Sequence, residues 1–107
     1  MLNNFLKKLI DINYANNSQR KKELWDVEAI LKNRLNQKLK FDLRPLKYNA
    51  KIGSFKTKAD KMVFDMPNEY ILIDVKELED YIKKNKIKKV YLQELIFKLD
   101  WNIIIKK

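Results

Sequence analysis

Apolar residues recur along this chain with two different periods. Leu2, Phe5, Leu6, Leu9 and Ile10 fall at i, i+3, i+4, i+7 and i+8, the spacing of an amphipathic helix with Asn3 or Asn4 near its start. Residues 13–18 form a polar break, and Ser18 stands where it can N-cap a second helix. Leu24, Val27, Leu31 and Leu35 share one face of that helix, placed at roughly 19–38, with Trp25 and Ile30 beside them. Beyond Phe41 the period shortens to two. Arg44-Pro45 opposes a helix, and Leu46, Tyr48, Ala50 and Ile52 then alternate with Lys47, Asn49 and Lys51 as in a half-buried strand. Gly53-Ser54 marks a turn, and Met62, Val63 and Phe64 begin a second strand. Met66-Pro67-Asn68-Glu69 reads as a hairpin turn into a third, Tyr70-Ile71-Leu72-Ile73.

Asp74-Val75-Lys76-Glu77 has the spacing of a capping box, and the helix it would start places Val75, Leu78 and Ile82 on its buried face. Residues 85–89 read as a loop. Leu92, Leu95, Ile96 and Leu99 mark a last helix, and residues 101–105 a final strand. The expected fold class is therefore α+β. Its layout is two N-terminal helices, a three-stranded antiparallel meander with a basic hairpin, two further helices and a C-terminal strand.

Composition narrows the picture. At 107 residues and 46% hydrophobic content the chain is expected to form one α+β domain, 1–107, with its own core. The longest apolar run, Tyr70-Ile71-Leu72-Ile73, cannot span a bilayer, and Lys7, Lys8 and Asp11 interrupt any signal-peptide core, so a cytoplasmic location with no membrane contact is expected. With no Cys and no His there is neither a Cys/His zinc site nor a triad of the usual kind. Gly53 is the sole glycine, which excludes the phosphate-loop and dinucleotide fingerprints.

The formal net charge is +10, and lysine supplies nearly all of it, since only three of the 24 cations are Arg. Lys, Ile and Asn all have AT-rich codons, so part of the excess reflects nucleotide composition. The distribution is more informative than the total. Residues 1–31 carry a net +1, residues 32–61 a net +8, residues 62–82 a net −5 and residues 83–107 a net +6. A basic block beside an acidic one is the pattern a binding face produces.

A Lys-rich β-hairpin over 38–61 would let one face follow phosphates while the other stays buried. Lys38, Lys40, Arg44, Lys47, Lys51, Lys56, Lys58 and Lys61 are the candidate nucleic-acid contacts, with Arg44 the candidate fork for a base or phosphate. The scarcity of Arg points to phosphate-dominated binding with modest sequence preference. The expected partner is nucleic acid, DNA in the first instance, with no cofactor and no catalysis. A second run, Lys83-Lys84-Asn85-Lys86-Ile87-Lys88-Lys89, either caps the preceding helix or adds a second phosphate patch.

Two resemblances frame the alternatives. Asp65 near the end of one strand, followed by Asp74-Val75-Lys76 after the next, resembles the D…(D/E)xK arrangement of metal-dependent nucleases with the restriction-endonuclease-like core. That resemblance implies Asp65 and Asp74 as Mg²⁺ ligands and Lys76 as the catalytic lysine. Residue 64, where that family usually carries Pro, is Phe64 here. Residues 78–99 resemble the opening of a winged helix, with Trp101-Asn102-Ile103-Ile104-Ile105 standing where its recognition helix would follow. A third class is a small inhibitor or adaptor of the phage or plasmid type that binds another protein, its acidic block serving as half of a charge-complementary interface.

Overall fold

The computed structural model describes residues 2–32, 34, 36–45 and 57–107. The elements run α1 (Leu2–Leu6), β1 (Leu9–Tyr14), α2 (Asn17–Lys22), β2 (Val27–Leu31), β3 (Lys38–Pro45), β4 (Lys61–Asp65), β5 (Glu69–Asp74), α3 (Val75–Asn85), α4 (Leu92–Lys98) and β6 (Asn102–Lys106). The α+β class holds, but among the described residues the strands form one six-stranded mixed sheet in the order β1-β2-β3-β4-β5-β6. Four of its five pairings are antiparallel and β3–β4 is parallel. Two antiparallel meanders thus meet at one parallel seam, where a single three-stranded meander was expected. The strand expected over 46–52 and its Gly53 turn lie outside the described residues.

The N-terminal third departs most from the helical reading. The first helix ends at Leu6, and the chain enters β1 at Leu9, which is buried, while Ile10 points to solvent. Phe5 and Leu9 reach the same apolar cluster from a helix and from a strand, so one spacing served both. The long helix over 19–38 is replaced by a six-residue α2 and by β2. Asn16, not Ser18, caps α2: its side chain accepts the Gln19 N–H at 2.8 Å, and the Gln19 side chain accepts the Asn16 N–H at 2.9 Å. Leu24 then adopts a left-handed backbone, φ 62°, which ends the helical path. Val27 and Leu31, four residues apart, suit a helix face and a strand face equally. Ala29 between them, fully buried, decides for the strand.

The C-terminal half follows the sequence pattern closely. A Met66 N–H bond to the Glu69 carbonyl, 3.0 Å, closes the β4–β5 hairpin. Asp74 caps α3 by accepting the Glu77 N–H at 3.0 Å. Glu77 does not complete the box: its carboxylate instead accepts the backbone N–H groups of Asp100 and Trp101, fastening the α4–β6 link to α3. The strand Asn102–Lys106 pairs with β5, so no recognition helix follows α4.

Alternate strand residues feed two cores. Met62, Phe64, Ile71 and Ile73 face Val75 and Leu78 of α3 and Leu92 and Leu95 of α4. Val63, Tyr70 and Leu72 face the other way, toward Val27, Ala29, Leu31, Phe41 and Ile105. Phe5 of α1 seats on this second face, 1% exposed, with ring centroids 5.9 Å from Phe41 and 5.1 Å from Tyr70 in edge-to-face geometry. Among the described residues no helix is long and apolar enough to cross a membrane. Removing the Phe5 ring should cost about 3–5 kcal/mol, because it opens a cavity between two other rings. Urea denaturation of Phe5→Ala measures this, with Phe5→Leu expected to lose clearly less. A loss below about 1 kcal/mol for Phe5→Ala would mean that α1 does not close this core.

Candidate nucleic-acid interface

β3 carries the alternation that organises the basic block. Leu39, Phe41 and Leu43 turn into the core beneath α1, which directs Lys38, Lys40, Asp42 and Arg44 to the opposite face. Lys38 pairs with Asp11 at 3.3 Å. Asp11 sits in a β1 bulge with φ 54°, a conformation an Asp tolerates better than most residues. The Lys40 ammonium lies 5.1 Å from the centroid of the Trp25 ring.

Arg44 is already engaged. Its Nε and Nη2 meet the two carboxylate oxygens of Asp42 at 3.1 and 2.8 Å, a fork closed on a buried Asp within the same strand. The guanidinium expected to read a base or phosphate is thus held by its own neighbour. The Asp42-Leu43-Arg44 spacing, two residues apart on one strand face, was the available signal for this pair.

Lys61 also departs from its expected role. It is 9% exposed, lies directly across from Asp74 in the β4–β5 ladder, and bonds its carboxylate at 2.8 Å. Its ammonium sits 3.7 Å from the centroid of the Trp101 ring. These contacts turn Lys61 inward, away from any phosphate outside. Lys58 is exposed, and its backbone N–H anchors to the Glu23 carbonyl at 2.8 Å. Lys47, Lys51 and Lys56 lie outside the described residues.

The carboxylate–lysine constellation is not brought together. Asp74 lies opposite Lys61 and Asp65 opposite Tyr70, four residues further along the hairpin, a separation of about 13 Å. Ligands of one Mg²⁺ must each approach to roughly 2 Å, so these two carboxylates do not fit that ion. Asp65 is instead bound to Lys107 at 2.7 Å, and Lys76 stands exposed in the first turn of α3, off the strand. Among the described residues no group of three or more potential ligands converges on a metal position.

No family model matches this chain, and comparison with curated proteins and with solved structures finds no match either. Its surface has to be read from its own chemistry. Of the 14 carboxylates, nine are engaged by partners among the described residues. Asp11, Asp42, Asp65, Glu69 and Asp74 hold Lys38, Arg44, Lys107, Lys106 and Lys61. Glu23 accepts the Trp25 indole N–H, and Asp26, Asp60 and Glu77 accept backbone N–H groups. Lys83, Lys84, Lys86, Lys88 and Lys89 are all exposed, and none has a carboxylate partner among the described residues.

Asp26, which the sequence did not single out, lies against the same strand and accepts the Leu43 N–H at 2.8 Å. Burial raises its pKa above the ordinary carboxylate value, and the Asp42 charge adds to this; the Leu43 bond, Arg20 and Arg44 oppose it. A carboxyl with a raised folded pKa binds its proton more tightly than the unfolded chain does. Its ionisation therefore costs stability, a cost absent below pH about 3.8 and complete once pH exceeds the folded value. Asp26→Asn keeps an acceptor for Leu43 and should be more stable than the parent at pH 7, the gap closing toward pH 3. Asp26→Ala should fall below Asp26→Asn by about 1–3 kcal/mol, from the unpaired amide. Chemical denaturation across that pH range checks both, and an Asp26→Asn variant weaker than the parent at pH 7 would reverse the assignment.

Proposed function

We propose that this protein binds nucleic acid, DNA in the first instance, through the phosphate backbone, using the basic segment that links β3 to β4. The supporting observation is where the negative charge goes. Nine carboxylates are engaged by amides, an indole and five cations of the fold, and exposed lysines such as Lys58 and the Lys83–Lys89 run have no ion-pair partner among the described residues. A surface left in that state attracts a polyanion and releases its counterions.

The contacts we assign are Lys58 and, in the same segment, Lys47, Lys51 and Lys56, with Lys40 and Lys38, whose pairing to Asp11 is solvent-exposed, at the margin. Arg44 and Lys61 are set aside because Asp42 and Asp74 hold them. The run from Lys83 to Lys89 supplies a second, separate patch. With Arg44 closed on Asp42 and no other Arg between Pro45 and Lys61, this segment lacks the fork that reads guanine, so modest sequence preference is expected.

A salt titration tests the reading. If about six to eight lysines contact phosphates, log K should fall with log salt at a slope of about −5 to −7 on duplex DNA, somewhat less on single strands. Replacing Lys47, Lys51, Lys56 and Lys58 together by Gln should reduce the slope's magnitude by about 3–4. The same treatment of the Lys83–Lys89 run should change it less. A parent slope shallower than about −2, or an unchanged slope in the fourfold variant, would sink this assignment.

A further inference from the structure

A cavity of about 280 Å³ opens beside α1, lined by Asn4, Lys7, Lys8, Tyr70 and Lys107. Three of its five lining side chains are ammonium groups, brought there from the α1–β1 link and from the end of β6. Their convergence follows from the fold. Phe5 docks on Tyr70 at 5.1 Å, which draws Asn4, Lys7 and Lys8 over the end of β5. The last strand pairs with β5 through Tyr70 and Ile105, and this carries Lys107 to the same place.

Tyr70 is the decisive member. Its side chain is 1% exposed, and its hydroxyl oxygen, itself closed to solvent, has no hydrogen-bond partner among the described residues. A buried Tyr hydroxyl normally finds one, since leaving it unpaired is costly. The Lys107 ammonium stands 5.0 Å from the centroid of the Tyr70 ring and is held by Asp65 at 2.7 Å. Among the described side chains, three ammonium groups stand here against one carboxylate, an excess of two positive charges, over a buried hydroxyl donor.

We propose that this cavity binds a phosphate monoester dianion, with Lys7, Lys8 and Lys107 balancing its charge and the Tyr70 hydroxyl donating to a phosphate oxygen once the overlying lysine side chains part to admit it. The charge of the ligand matches the excess of the site, and charged oxygens are the acceptors that the hydroxyl lacks. A phosphate monoester has two sources, the 5′ end of an oligonucleotide and a free nucleotide. The inference rests on the cavity beside α1 and not on the β3–β4 segment, so either reading can fail alone.

Calorimetric titration of the full chain at low salt tests it, with adenosine 5′-monophosphate set against adenosine. The monophosphate should bind and the nucleoside should not. Tyr70→Phe should weaken monophosphate binding about tenfold or more, the loss expected for a hydrogen bond to a charged acceptor. Without ligand the same variant should unfold no more easily than the parent, because the lost hydroxyl has no partner, and this separates a lost contact from a lost fold. Lys8→Gln should weaken binding in the same sense. Oligothymidylate with and without a 5′-phosphate then separates the sources. A 5′-phosphate that tightens binding and competes with the monophosphate assigns the site to strand ends; one that changes nothing, while the monophosphate still binds, assigns it to free nucleotides. Equal behaviour of monophosphate and nucleoside, or full binding by Tyr70→Phe, overturns the proposal.

Discussion

The parallel seam between β3 and β4 is the constraint on which the rest of this molecule depends. Each antiparallel meander alone has one face too small to exclude water, and three strands are near the lower limit for independent stability. Joined, they give a sheet wide enough to carry a core on both faces. Parallel neighbours require the chain to cross back to its starting end between β3 and β4. Asp60 receives it. Its backbone N–H donates to the Lys40 carbonyl and its carboxylate accepts the Lys40 N–H, both at 2.8 Å, while its carbonyl accepts the Val75 N–H at 3.0 Å. One residue thereby fixes the start of β4 against β3 and against the first turn of α3.

The electrostatic character of the surface follows from the same economy of carboxylates. Acidic side chains that would have neutralised neighbouring lysines are committed to backbone amides and to a few inward cations. Asp42 and Asp74 show the outcome for the basic block: each withdraws one cation from the surface and ties it to the sheet. The cations that remain outward are mostly lysine, a compact and well-hydrated charge on a flexible stem. Such a surface suits contact with a regular array of phosphates better than recognition of a particular base edge.

Legibility in the sequence divided along the same seam. From Met62 onward the hairpin, the Asp74 cap, α3, α4 and the last strand fell where spacing placed them, because buried runs, a Pro-Asn turn and an N-cap agreed with one another. Before it, positions such as Val27 and Leu31 satisfied a helix and a strand at once, and only the burial of Ala29 separated them. No local pattern could reveal that β3 pairs parallel with β4, since that is a contact across an intervening segment. The candidate site behaved likewise. The excess of lysine was readable, whereas the engagement of Arg44 and Lys61 by Asp42 and Asp74 was not, because facing partners depend on register. Asp65 and Asp74 looked like a pair in one dimension and lie at opposite ends of a hairpin.

The brevity of α1 has a consequence for how the molecule moves. Five residues are too few for a helix to persist by itself, so α1 exists only while Phe5 is seated. Its undocking is expected to be a local opening that bares Phe41 and Tyr70 while β2 to β6 stay paired. Amide exchange in α1 and the first residues of β1 should belong to one fast unit, distinct from the slow protons of β4 and β5. By that expectation the N-terminal segment opens before the rest of the sheet, and a ligand held in the cavity beside α1 would keep it closed.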